Sequence, residues 1–125
     1  MTTEVLREGQ FDPGEFVAEL AAAPTNLDVG TALLLENHRV KVWEVRLAPG
    51  ERGAFHSHTR DYFWTVVDPG EGLQRLADGT LRVRRYETGQ TVFGAHSAEE
   101  PMIHDLENVG STTLRFVTVE LLDPS

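Results

Sequence analysis

From Thr31 to Leu122 the chain is a succession of short runs rich in β-branched and aromatic residues, with no second stretch of helix-length periodicity. Strands are predicted near 31–36, 40–48, 53–58, 61–67, 72–77, 80–86, 90–94, 101–107 and 112–122. They are divided by Asn37-His38, Pro49-Gly50, Pro69-Gly70, Asp78-Gly79, Thr88-Gly89 and Asn108-Val109-Gly110. Asp78-Gly79 is the strongest of these signals, since that dipeptide favours a type I′ hairpin turn. So many short strands in so short a chain imply an all-β sandwich or barrel. Repeats, low-complexity segments and domain linkers are absent from the sequence, so residues 1–125 are expected to form one domain.

One helix precedes the strands, predicted over about 12–23. Asp12 can cap it, Pro13 suits its first turn, Glu15 stands three residues after the cap, and Pro24 follows its end. Phe16, Val17 and Leu20 form one apolar stripe and read as a packing face, so the helix is expected to be a lid or flank.

The charge balance narrows the partners. Twenty acidic against eleven basic residues give a formal charge of −9, which repels phosphate backbones and anionic lipid surfaces, so neither nucleic acid nor membrane is expected. Arg60, Arg75, Arg82, Arg84 and Arg85 are nevertheless grouped; they read as a solvated hairpin face, although an arginine inside a cavity could bind one carboxylate. The absence of cysteine removes thiolate metal sites, cysteine nucleophiles and disulfides, and fits a reducing cytoplasm. The amino terminus, MTTEVLREGQ, carries charges where a signal peptide would be apolar, which also suits a cytoplasmic protein.

Two runs, 40–47 and 113–122, are apolar on both faces, as strands are when both sides are covered. A homodimer is expected on that ground, with its interface on part of these runs.

His56 and His58 stand one residue apart, so on a strand both imidazoles leave the same face. Alone, such a pair is either a divalent-metal half-site or two polar side chains turned to water. Gly50 followed by five residues and His56-Ser57-His58, with His104 and Asn108 four residues apart much later, resembles the two signature motifs of the cupin superfamily, G(X)5HXH(X)3,4E(X)6G and G(X)5PXG(X)2H(X)3N. The resemblance spans roughly 30–122. It implies a small antiparallel β-barrel or jelly roll in which His56, His58 and His104 converge on one metal.

Two departures are visible. Tyr62 and Phe63 stand where the first motif has its glutamate, and the segment Gly94-Ala95-His96-Ser97-Ala98-Glu99-Glu100 leading to the second motif is long and lacks the Pro-x-Gly. Three neutral imidazoles would leave a divalent ion its full charge, a stronger Lewis acid than one with two histidines and a carboxylate. Iron, zinc, nickel and manganese all remain open. Tyr62 could orient a substrate or donate a proton near the metal. Asp61, His96, Glu99 and Glu100 are other candidates for the missing ligand. Trp43 and Trp64 read as core or cavity wall, and Ser57 should point away from the site. The resemblance implies a metal-dependent cupin enzyme acting on a small organic molecule, with dioxygenase chemistry first and isomerase or lyase chemistry next. The alternative is a non-catalytic cupin, a ligand-binding or sensing module whose metal is absent or incidental.

Overall fold

Alternation along the strands sends every second side chain into a space enclosed between two sheets. The computed structural model describes residues 4–122. Among them are strands β1 (Glu4–Gln10), β2 (Ala32–Glu36), β3 (Val40–Leu47), β4 (Arg52–His58), β5 (Tyr62–Asp68), β6 (Gly70–Arg75), β7 (Thr80–Tyr86), β8 (Thr91–Gly94), β9 (Met102–Asn108) and β10 (Leu114–Leu121), with one α-helix, α1 (Val17–Ala22). The first sheet has the order β1-β7-β6-β9-β4 and the second β2-β3-β10-β5-β8, and every pairing is antiparallel. The chain crosses repeatedly from one sheet to the other, which makes a jelly roll, the expected all-β class.

Val66, Tyr86, Leu114 and Phe116, with Val45, Trp64 and Leu106 against them, fill the barrel toward the Leu114 end of β10. Asn108, buried in β9, closes that end: its Nδ2 donates to the carbonyls of Leu47 and Thr112, both at 2.8 Å, and its Oδ1 accepts from Gly110 N. This asparagine of the second motif is thus a structural cross-link between the sheets. A second cluster, Leu73, Leu81 and Val83 with Phe11, lies on the outer side of the first sheet beneath the amino-terminal segment.

That segment is a flank, fastened by charge as well as by apolar contact. Glu19 of α1 pairs with Arg52 and accepts from Phe55 N at 2.6 Å. Arg52 and Arg75 both reach the buried Asp105 at 2.9 Å, and Arg75 reaches Glu107 at 2.9 Å. Phe16 packs on Phe55 with ring centres 5.4 Å apart. The network grips β4 and β9 from outside, and these two strands carry the three histidines inside.

Three sequence expectations need correction. The helix is α-helical over six residues only, with 3-10 turns at Pro13–Phe16 and Ala23–Thr25 where Pro13, Gly14 and Pro24 interrupt the α ladder. Asp12 caps the first 3-10 turn, accepting from Gly14 N at 2.8 Å, and Val17, placed in the packing stripe, is 67% exposed while Glu19 turns inward. The β6–β7 turn is not type I′. Only Gly79 there has positive φ (96°), Gly79 N donates to Leu76 O, and Asp78 Oδ1 accepts from Thr80 N, so Ala77-Asp78-Gly79 is a three-residue loop of the glycine-bulge kind. Strand β1 lay outside the expected set because EVLREGQ lacks apolar alternation. It is an exposed edge strand that pairs with β7 and sets Glu4 against Arg85 (3.0 Å) and Glu8 against Arg82 (3.3 Å).

Candidate metal centre

His56 and His104 are directly opposite in the β4–β9 ladder, and His58 follows two residues along β4 on the same face. Their Nε2 atoms converge: His56 to His58 is 3.0 Å and His58 to His104 is 2.9 Å. The three rings form a nearly equilateral triangle, with centroid separations of 4.8, 4.7 and 4.8 Å and interplanar angles of 68°, 73° and 70°. Among the described residues, these are the side chains that gather as a potential metal-binding group.

Burial lowers all three proton affinities. It pushes His58 down to about 2, with the neighbouring His56 and His96 adding to the effect, and drives His104 well below its ordinary value. His56 is also lowered by burial, against the opposing pull of the Ala54 carbonyl and Asp105. Neutral imidazoles are the form that binds metal.

The tautomers can be read from the outer partners. His56 Nδ1 lies 2.9 Å from the Ala54 carbonyl and donates to it, which leaves Nε2 as the lone pair. Gln74 Nε2 is the atom set against His104 Nδ1, and the amide oxygen takes its place when the amide group is turned over. With the amide oxygen toward the ring, Nδ1–H donates and Nε2 is again free. His58 Nδ1 is buried and meets no partner among the described residues; its ring is held by stacking on Tyr62, centroids 4.2 Å apart and planes 19° from parallel.

Donor spacing provides a test of fit. Ligands at 90° on an ion about 2.1 Å away are about 3.0 Å apart, whereas tetrahedral ligands at the same distance are about 3.4 Å apart. The two Nε2 separations match the first case, two edges of an octahedron that meet at His58. The site therefore fits a divalent ion that retains coordination positions toward the cavity.

The other candidates separate clearly. Tyr62, 5% exposed, lies beside the cluster and lines the cavity; burial raises its phenol, so it stays protonated and able to donate. His96 stands outside the triangle, 5.7 Å from the Tyr62 ring and 6.4 Å from the His58 ring. Asp61 is exposed and accepts from His96 N at 3.2 Å, and Glu99 and Glu100 lie on an exposed loop, so none of the three carboxylates reaches the histidines. Glu120, buried on the inward side of β10, is engaged by Trp43 Nε1 at 2.7 Å. Ser57 leaves the opposite face of β4 as expected, yet it is buried there rather than solvated, under the segment whose Asn26 carbonyl accepts from Ser57 N.

Sequence reasoning singled out neither Gln74 nor Tyr86, and it placed Arg84 on a solvated face. All three line the cavity of about 400 Å³ above the histidines, with Trp64, Phe116, Leu106, Val45 and the Asn26–Thr31 loop. The available signal was parity: Gly72 and Gln74 alternate with Leu73 on β6, and Arg84 and Tyr86 alternate with Val83 on β7.

A jelly roll with histidines from two facing motifs gathered at one wall of its cavity is the architecture of a cupin. The solved structures agree. A cupin domain from Bordetella pertussis Tohama I shares 25% identity, covering 74% of this chain and 91% of its own, with a TM-score of 0.65. A predicted oxalate decarboxylase from Thermotoga maritima is 23% identical over 74% of this chain and 78% of its own, TM-score 0.52. An oxalate oxidase in complex with the substrate analogue glycolate is 25% identical over 69% of this chain and 44% of its own, TM-score 0.50. No protein-family profile and no curated protein matches the chain. The chain has the cupin fold, and these likenesses support the cupin superfamily as its family.

Proposed function

We propose that this protein is a metal-dependent cupin enzyme that acts on a small organic molecule by oxidoreductase chemistry of the dioxygenase kind. The observation that carries the reading is the convergence of three buried, neutral imidazoles, with His58 Nε2 3.0 and 2.9 Å from those of His56 and His104, beside a ligand-sized cavity. His56, His58 and His104 would hold the ion, and the spacing favours iron, manganese or nickel over tetrahedral zinc. Bound there, such an ion supplies Lewis acidity and, if it is iron or manganese, a route to dioxygen chemistry.

The chain's own residues supply the rest. The Ala54 carbonyl fixes the tautomer of His56, and the Gln74 amide, turned with its oxygen to the ring, would fix that of His104. Tyr62, protonated and stacked on His58, can donate a hydrogen bond or a proton to a substrate atom at the site. Trp64, Phe116, Leu106 and Val45 give the cavity apolar walls against which a substrate's carbon skeleton can pack. Oxalate-transforming enzymes among the similar folds support a redox or carbon–carbon-cleaving role.

A second reading is a non-catalytic ligand-binding cupin, favoured by the phenol of Tyr62 standing where the family motif has a glutamate. One experiment separates them. Protein reconstituted anaerobically with Fe(II) and exposed to nitric oxide should give the half-integer-spin EPR signal of a ferrous nitrosyl, showing an open position on bound iron. No signal in the wild type, or the same signal in His104→Ala, removes the enzyme reading.

A further inference from the structure

The cavity is lined by a cation that forms no ion pair with any of the described residues. Arg85 leaves the outer face of β7 and pairs with Glu4 and Glu71, and Arg82, on the same face as Arg84 but exposed, pairs with Glu8. Arg84 between them turns into the cavity, and its side chain forms no ion pair or hydrogen bond among the described residues, with Nε fully buried and unpartnered. The residue opposite it in the ladder is Gly72, which has no side chain to offer; the Tyr86 ring lies over that glycine, 2.9 Å from where a Cβ would stand. Tyr86 is pushed up to about 12 by burial, with the Arg84 charge pulling the other way, so guanidinium and phenol are neighbours. Among the described cavity-lining residues the one carboxylate is Asp28, exposed on the loop before β2.

A buried guanidinium donor without a partner is costly, and it persists where a ligand supplies the acceptor. The whole-molecule charge of −9 repels anions, so an anion that enters needs a local cation of this kind. The register sets the shape of the ligand. Arg84 is opposite Gly72 and His104 is opposite Leu76, four residues apart along β6, which is about 13 Å at roughly 3.3 Å per residue. Arg84 and His104 therefore stand at different levels of the cavity wall, with Trp64, Phe116 and Leu106 among the apolar lining.

We propose that the cavity takes an elongated small carboxylate, its carboxylate paired with Arg84 and its apolar chain against Trp64, Phe116 and Leu106, presenting its far end to the three-histidine site. A single guanidinium fits one carboxylate bidentately, whereas a phosphate dianion would need more donors than this wall provides. This assignment rests on reading the cavity as the substrate site, and its test is independent of metal.

The test uses metal-stripped protein, so that no carboxylate can bind an ion, and calorimetric titration with propionate, butyrate, hexanoate and octanoate and with the matching uncharged amides. Wild type should bind at least one acid about tenfold or more tightly than its amide, the range of a hydrogen-bonded charged partner. Arg84→Gln should abolish that preference. Arg84→Lys, which keeps the charge and serves as the check on folding, should still prefer the acid. No binding of any acid at millimolar concentration, equal binding of acid and amide by the wild type, a preference retained in Arg84→Gln, or one lost in Arg84→Lys overturns the proposal. Metal content measured separately on the same proteins shows whether the three-histidine reading stands or falls apart from it.

Discussion

Replacing Asp105 by asparagine removes the hub of the network behind the histidines. The carboxylate is fully buried and accepts three hydrogen bonds at 2.9 Å, from Arg75 N, Arg75 Nη1 and Arg52 Nη1. An asparagine can present its oxygen to the backbone or to the guanidiniums, but then turns N–H donors against the other. Removing one partner of a buried ion pair costs about 3–5 kcal/mol. Two features reduce that here: the Arg52 and Arg75 side chains are 26% and 14% exposed, and each retains a glutamate, Glu19 and Glu107. We therefore expect a loss of about 2–3 kcal/mol, or roughly 6–15 °C in Tm for a domain of this size. Urea titration should show a lower midpoint with an unchanged slope. The double variant with Glu19→Gln should depart from additivity by about 0.5 kcal/mol or more, since both residues hold Arg52. A loss under about 0.5 kcal/mol for Asp105→Asn would refute the claim that this carboxylate organises the β4–β9 pair.

Further outcomes follow from the same structure. Glu19 sits below its ordinary 4.5 chiefly because Arg52 hydrogen-bonds its carboxylate, so its stabilisation is present above that value and disappears as pH falls through the lower folded one. Glu19→Gln should accordingly flatten the acid limb of a stability–pH profile below about pH 4.5, and an unchanged limb would contradict the pairing. Asp12→Ala should cost about 0.5–1 kcal/mol, the low end of capping effects because a short 3-10 turn is capped; denaturant titration checks it, and no change would mean the turn holds without its cap. The outer face of the second sheet carries an apolar row across all five of its strands, Leu35, Val42, Val119, Phe63 and Phe93, with Leu35 52% and Phe93 58% exposed. Light scattering should give a dimer at micromolar concentration that Phe93→Asp converts to monomer, and a monomeric wild type would rule this face out as the self-association surface.

Strand positions were legible because turn residues and β-branched runs are local signals, and observed limits such as Val40–Leu47 and Thr80–Tyr86 fall within a residue of those expected. The histidine triad was legible because its spacing resembles a family motif, not because of any local rule: nothing near His104 says that it stands opposite His56. What stayed hidden depends on long-range pairing. Strand β1 forms by charge matching with β7, which no pattern within EVLREGQ reveals. Arg84 differs from Arg85 in the face of β7 it leaves and from Arg82 in what covers that face, since Gly72 on β6 and Tyr86 two residues along β7 determine its surroundings. The apolar outer faces of 40–47 and 113–122 were visible in the sequence, but their alignment into one row required the register.

Metal analysis by plasma mass spectrometry tests the account most directly, on protein purified without a nickel column and on His104→Ala prepared alongside. Wild type should carry close to one equivalent of a divalent ion that accepts six-coordination, iron, manganese or nickel, while the folded variant should lose most of it. A wild type that cannot be loaded with any of these ions, or a His104→Ala protein that retains the wild-type content, would contradict the three-histidine site.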